Sequence, residues 1–152
     1  MRGQRCKYPI TRTVAALTPN TADLEDPRHP MKFHLQTPTS NVVTGSGPGW
    51  VRVGTDEYRD NVVLTADAVV PGFAPGGFDG LRADDFAALL ATSPELVLLG
   101  TGATQRFPRP AVTAPLHDAN VGLEVMDTRA ACRTYNILVA EGRSVTAALI
   151  VE

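Results

Sequence analysis

The sequence predicts an α/β protein with three layers: a mixed central sheet with helices on both faces, and a small β-meander in its N-terminal part. From residue 83 onward, helical patterns alternate with short apolar runs, which is typical of a sheet covered by helices. Residues 41–65 instead show short strand-like runs joined by Gly-rich turns. That pattern favours antiparallel strands.

The expected elements follow from these patterns in chain order. Strands are predicted over 41–44, 50–53, 58–65 and 69–73, a helix over 83–91, a strand over 95–100, a helix over 109–118 interrupted or restarted at Pro115, a strand over 122–126, a helix over 127–141 and a strand over 144–151. The run 95–100 is apolar almost throughout, as in a strand covered on both faces. We therefore expect it in the interior of the sheet.

The length of 152 residues and a hydrophobic content of 43% favour one domain with one core. We expect this domain over residues 31–152, and a disordered or over-long N-terminal extension over residues 1–30, with Met31 as the alternative start. The extension has few acids and several arginines and threonines. A mitochondrial transit peptide is therefore the alternative to a cytoplasmic, bacterial protein.

The formal net charge is −2 and the basic residues are scattered, which argues against a nucleic-acid partner. No apolar run approaches the length of a membrane span. Cys6 and Cys132 form neither a disulfide framework nor a metal-ligand spacing, so a reducing compartment fits best.

The helix predicted over 127–141 has the clearest boundaries in the chain. Asp127 or Thr128 can accept the free N–H groups of its first turn, and Gly142 can adopt the left-handed conformation that ends it. Its apolar arc is wide, so we expect most of the helix to be buried. Cys132 lies on that arc and is predicted to be a small core residue.

Polar residues of this helix form two further patterns. One stripe carries Arg129, Arg133, Asn136 and Arg143. This stripe is either a solvated face or a surface that binds an acidic partner, a carboxylate or a phosphate. Asp127, Thr134 and Glu141 stack along a second line inside the apolar arc. Either Asp127 only caps the helix and Glu141 lies in solvent at its frayed end, or the three residues form a polar seam between helix and sheet.

A glycine-rich loop over 100–105 follows the apolar strand. Gln105 stands where a dinucleotide-binding fingerprint needs its third glycine, and Phe107 and Pro108 follow where a helix should open. We therefore interpret the loop as a turn at the carboxyl end of a strand. That end is where open α/β sheets place their ligands.

Catalytic and metal-binding patterns are incomplete. Ser46 lacks the spacing of a nucleophile elbow, and His29, His34 and His117 stand apart. The sequence therefore predicts no catalytic residues, no metal site and no cofactor.

The predicted helix and its flanks resemble the signature of the small MTH-type (Mth938-like) domain family. The matching positions are Met126, Asp127, Thr128, the run 130–136, Leu138 and the run 141–143, supported by 98–102 before Phe107 and Pro108, and by Trp50 and 58–63. The resemblance covers about residue 31 to the end. It implies a three-layer α/β fold with a mixed sheet, and, from a mitochondrial member that assists assembly of NADH dehydrogenase, a role in respiratory complex assembly through protein contacts. Since Asp127, Thr134 and Glu141 coincide with signature positions, it also favours the polar seam.

Two functions are expected on these grounds. The first is a non-catalytic protein-interaction or assembly-factor-like domain with an unidentified protein partner. The second is a small-molecule or anion site, with or without enzymatic activity, between the loop and the helix. For that site, Thr101 and Thr104 are the expected ligand donors, Glu141 or Asp127 the acid or base, and Arg133 the anion holder. The candidate surface as a whole comprises Gly100, Thr101, Gly102, Thr104, Asp127, Thr128, Arg129, Arg133, Asn136, Glu141 and Arg143.

Overall fold

The computed structural model of the protein describes residues 41–152. Its strands are β1 (Val43–Gly47), β2 (Trp50–Val53), β3 (Asp56–Tyr58), β4 (Val62–Leu64), β5 (Val69–Pro71), β6 (Leu96–Thr101), β7 (Gly122–Met126) and β8 (Val145–Ile150). Its α-helices are α1 (Ala83–Leu89), α2 (Pro110–Asp118) and α3 (Thr128–Ala140). The predictions for residues 1–30, and for Met31, His29 and His34, lie outside the described residues.

The meander consists of β1, β2 and β3, paired antiparallel in chain order. Gly49 and Gly54, with φ of 71° and 58°, form the two turns, as their left-handed conformation favours glycine. The predicted strand over 58–65 is wrong in one respect, because β3 ends at Tyr58 and β4 begins at Val62 in a different sheet. Between them, the Asn61 side chain donates to the Ala74 carbonyl (2.8 Å) and accepts from the Val151 N–H (2.8 Å), which binds this corner to neighbouring segments.

The central sheet is mixed and has the strand order β5-β4-β8-β6-β7. The strands β6, β7 and β8 run parallel to one another, whereas β4 pairs antiparallel with both β5 and β8. The interior position predicted for the strand over 95–100 is confirmed, since Val97, Leu98 and Leu99 are fully buried. All six residues of β8 are buried as well.

Successive side chains of β6 and β8 point to opposite faces, so each face of the sheet has its own core. On one face, α3 and the meander pack on side chains that include Leu98 and Leu149. On the other, α1 and α2 pack on side chains that include Val97, Leu99 and Ile150. The predicted three-layer α/β architecture is confirmed.

The helix α2 runs through Pro115 without a break, which corrects the predicted interruption. Pro115 removes the hydrogen bond that its N–H would donate to the carbonyl four residues earlier, at Ala111. Ala111 is exposed, so that carbonyl is open to solvent. Leu116 on the buried side anchors the helix to the core.

The helix α3 begins and ends as predicted. Asp127 is the N-cap residue and its Oδ1 accepts the Ala130 N–H at 2.8 Å, while Gly142 follows the last turn with φ of 77°. Cys132 is 3% exposed and belongs to the core, as predicted. None of the helices within residues 41–152 has the length and apolar character needed to cross a membrane.

Candidate functional site

A cleft of about 570 Å³ opens where the carboxyl ends of β6 and β8 meet the N-terminus of α3 and the β1–β2 turn. Open α/β sheets place their ligands at this edge of parallel strands. The cleft is lined by Ser46, Gly47, Pro48, Gly102, Ala103, Asp127, Thr128, Arg129, Arg133, Ile150, Val151 and Glu152. The structure therefore brings together five residues of the predicted surface: Gly102, Asp127, Thr128, Arg129 and Arg133.

Thr128 joins the helix to both strands at the base of the cleft. Its hydroxyl donates to the Ile150 carbonyl (2.6 Å) and accepts the Gly102 N–H (2.8 Å), and its own N–H donates to the Gly102 carbonyl (2.9 Å). The three bonds satisfy backbone groups at the end of β8 and just beyond the end of β6. The start of α3 is thus fixed relative to the sheet.

Gly100 allows this close approach. A Cβ at this position would lie 2.9 Å from the Cα of Thr128 and 3.0 Å from Leu149 Cδ2. Because the nearer atom belongs to the backbone, any larger residue would push the helix off the strand. Gly100 therefore acts in packing and does not line the cleft.

Thr101 is fully buried, and its hydroxyl is engaged within the loop. Its Oγ1 lies 2.8 Å from the Thr104 carbonyl and 3.1 Å from the Met126 carbonyl, and accepts the Arg106 N–H at 3.0 Å. Thr104 is exposed but lies outside the lining of the cleft. The structure thus supports neither threonine as a ligand donor in this cleft.

Arg106 is a residue that the sequence did not single out. Its guanidinium donates to the Thr101 carbonyl (2.9 Å from Nη2) and to Glu152 Oε2 (2.7 Å), and it lies 4.4 Å from the centre of the Phe78 ring. These contacts hold the Glu152 carboxylate at the cleft wall and compensate its charge.

Arg129 and Arg133 are exposed, and within residues 41–152 no carboxylate lies within 4.0 Å of either guanidinium. The other carboxylate of the cleft, Asp127, accepts the Ala130 N–H as the helix cap. Among the described residues, the cleft is therefore flanked by two arginines without an ion-pair partner.

Asn136 does not share the exposed side of the two arginines, which corrects the predicted stripe. Its Oδ1 accepts the Val43 N–H (2.9 Å) and its Nδ2 donates to the Val43 carbonyl (2.7 Å). A polar side chain with both groups bonded to one backbone unit acts like an added strand partner. Asn136 therefore anchors β1 to α3.

Arg143 and Glu141 lie at the far end of α3, about 20 Å from Asp127 by the rise of a helix. Arg143 pairs loosely with Glu95 (Nε to Oε2, 3.8 Å), and Glu141 is exposed. The predicted seam of Asp127, Thr134 and Glu141 is wrong, because Asp127 caps the helix and Glu141 faces solvent instead of the sheet. The two carboxylates thus share no site.

Cys132 and Tyr135 are the buried titratable groups of α3. Burial raises the pKa of the Cys132 thiol to about 11, although a hydrogen bond with Ser46 opposes the shift. Burial also raises the pKa of Tyr135, whose hydroxyl is buried without a hydrogen-bond partner in the described part of the chain. Both groups stay neutral near pH 7, so Cys132 is not an activated nucleophile.

The end of β1 and the β1–β2 turn were also absent from the predicted surface, although the sequence signals a turn there. Ser46, Gly47 and Pro48 form the wall of the cleft opposite α3. Their place depends on how the meander packs on the helix, which no local pattern reveals.

Comparison with known proteins gives a family match over residues 43–150, to the family described as "Protein of unknown function (DUF498/DUF598)". An uncharacterised protein of Rhodobacter capsulatus is 36% identical over 110 residues, which cover 71% of this chain and 82% of that protein. The "13 kDa major membrane protein" of Francisella tularensis subsp. holarctica is 39% identical over 95 residues, which cover 62% of this chain and 77% of that protein. The bovine NADH dehydrogenase (ubiquinone) 1 alpha subcomplex assembly factor 3 is 34% identical over 77 residues, covering 49% of this chain but 42% of the assembly factor.

Solved structures show the same fold. The crystal structure of a Bordetella parapertussis protein has a TM-score of 0.68 and 36% identity, and covers 74% of this chain and 97% of that one. The solution structure of a Bordetella pertussis protein, described as a Mth938-like domain, has a TM-score of 0.63 and 31% identity. It covers 73% of this chain and 85% of that one. The resemblance predicted from the α3 signature is confirmed: the chain belongs to the DUF498/DUF598 family and has the fold of a Mth938-like domain.

Proposed function

We propose that this chain is a non-catalytic protein-binding domain that assists assembly of a multisubunit complex. The observation that carries the proposal is the exposed side of α3, which we call the outer ridge and define as Arg129, Arg133 and Ile137. These residues are spaced four apart, so they lie along one side of the helix beside the cleft. Ile137 is 61% exposed, among the most exposed large hydrophobic residues of the described chain.

The composition of the outer ridge supports a protein contact. A single exposed apolar residue is ordinary on a protein surface. Here, however, it lies next to two arginines that have no carboxylate partner among the described residues. Arginine together with apolar side chains is enriched where proteins bind one another.

The relatives support the assembly part of the proposal. Among them is a protein named as an assembly factor of NADH dehydrogenase, which this chain matches over less than half of its length. We therefore propose, more specifically, that the complex it helps to assemble is a respiratory complex. The bacterial relatives support a bacterial protein, for which we propose the cytoplasm. The mitochondrial alternative depends on residues 1–30 acting as a transit peptide.

The geometry favours protein binding over an enzyme. Of the residues expected to perform chemistry, Asp127 and Arg133 reach the cleft, whereas Thr101 is engaged inside the loop and Glu141 lies at the other end of α3. Acid–base catalysis needs a positioned proton donor or acceptor at the reacting group. The Asp127 carboxylate already serves as the helix cap.

Affinity purification from the native cell tests the proposal. We expect the wild-type chain to retain specific partner proteins that Arg133→Glu loses, because the substitution reverses a charge in the middle of the outer ridge. Arg109→Glu is the matched control, since Arg109 is also exposed but precedes α2 on the other face of the sheet. The same partners with Arg133→Glu, or no partner with the wild type, would contradict the proposal.

A further inference from the structure

We propose that the partner presents an acidic segment, and that Arg129 and Arg133 bind its carboxylates at the cleft while Ile137 contacts an apolar side chain of the same segment. This inference rests on the proposed function and names the chemistry of the partner.

The ion pairs of the cleft support an acidic ligand. Its two side-chain carboxylates accept hydrogen bonds within the protein, Glu152 from Arg106 at 2.7 Å and Asp127 from the Ala130 N–H at 2.8 Å. The guanidinium groups of Arg129 and Arg133 have no such partner in residues 41–152. A planar guanidinium matches the two oxygens of a carboxylate, so each of these groups can bind one that a partner supplies.

The extent of the surface favours a peptide over a small anion. The cleft of about 570 Å³ holds more than one side chain. Ile137 lies one helical turn beyond Arg133, at about 6 Å between Cβ atoms. A small anion bound at the arginines would leave Ile137 without a partner, whereas a segment that alternates acidic and apolar residues would contact both.

The walls of the cleft are held in place before any ligand binds. Asn136 links β1 to α3 through two hydrogen bonds, and the Gly49 N–H donates to the main-chain oxygen of Glu152 at 2.8 Å. Thr128 fixes the start of α3 to Gly102, which follows β6, and to β8. Such a preformed site loses little free energy to ordering when it binds.

Fluorescence anisotropy with the full chain tests this inference. The probe is a labelled peptide of alternating glutamate and leucine, and a lysine–leucine peptide of equal length is its control. We expect the acidic peptide alone to bind, with affinity that falls as salt rises. Arg129→Ala and Arg133→Ala should each weaken binding about tenfold, as expected for a hydrogen bond to a charged group. Ile137→Ser should weaken it less, and Arg109→Ala should leave it unchanged.

Equal binding of the two peptides, or unchanged binding by the arginine variants, would overturn the inference. Inorganic phosphate that binds as tightly as the peptide would also overturn it, since the cleft would then be a small-anion site. These failures differ from a failure of the proposed function. If the acidic peptide does not bind while Arg133→Glu still loses its cellular partners, the protein-binding role stands and the acidic segment does not.

Discussion

The inner and outer sides of α3 are built from neighbouring residues with opposite surroundings. Thr128, Cys132 and Asn136 face inward, and each is followed directly by a residue of the outer ridge. The inner residues are buried or bonded to backbone groups of β1, of β8 and of Gly102 after β6, whereas the outer residues are exposed. The same four-residue spacing thus separates the side that stabilises the fold from the side that we propose binds a partner. Substitutions on the two sides should therefore have separable effects.

The largest effect is expected from Thr128→Val, which keeps the shape and removes the hydroxyl. The Ile150 carbonyl and the Gly102 N–H would both lose their buried partner. At about 2 kcal/mol for each unsatisfied group, the free energy of unfolding should fall by about 4 kcal/mol. Urea denaturation measures it. Thr104→Val is the matched control on the loop after β6, and since Thr104 is exposed, its effect should stay within about 0.5 kcal/mol. Equal effects would show that the Thr128 hydroxyl does not stabilise the fold.

The second effect concerns pH and Cys132. Because burial raises the thiol pKa from 9.0 to about 11, the folded state keeps its proton where the unfolded state loses it. Stability should therefore fall as the pH rises from 9 to 11, by about 2 kcal/mol from this group. Stability measured across this range in a Cys6→Ser background should decline less steeply for Cys132→Ala. Parallel pH profiles would contradict the buried, neutral thiol.

A third effect is expected from Asn136→Ala. The Val43 N–H and carbonyl would lose their partner, and the meander would lose its polar link to α3. We expect a loss of about 2 kcal/mol in the free energy of unfolding, since this site is half-buried and water can replace part of each bond. Ile137→Ala, the next residue and on the outer side, should change stability by less than about 0.5 kcal/mol. A larger loss from Ile137→Ala would break the distinction between the two sides.

The smallest effect on stability belongs to the outer ridge. Arg129→Ala combined with Arg133→Ala should change the free energy of unfolding by less than about 0.5 kcal/mol, because neither side chain pairs with a described carboxylate. Thermal unfolding checks this, and the same samples should have lost most of their affinity for the acidic peptide. A marked drop in melting temperature would assign the arginines a structural role.

Much of the fold could be predicted because its signals are local. Asp127 and Gly142 mark the ends of α3 within the helix itself, and the apolar run of β6 indicates a strand covered on both faces. The break between β3 and β4 could not be predicted in this way. It depends on Asn61 bonding to Ala74 and Val151, which lie far away in the chain.

The candidate site was less predictable for the same reason. On a helical projection, Asn136 looks like another exposed polar residue beside Arg133, because its partner Val43 lies 93 residues earlier. Thr101 looks like a ligand donor until the loop folds back and brings the Arg106 N–H to its hydroxyl. Sequence located the edge of the sheet where the cleft opens, but tertiary contacts decide which side chains face it.

The position of β8 has a consequence for synthesis. It is the central strand of the five and joins β4 and β5 on one side to β6 and β7 on the other, yet it follows all of them in the chain. During synthesis on the ribosome, the pairs β4–β5 and β6–β7 therefore each keep an unpaired strand edge until residues 145–150 emerge. Open edges invite pairing with other chains. A nascent chain should need shielding until β8 leaves the exit tunnel, after which the sheet can close in a single step.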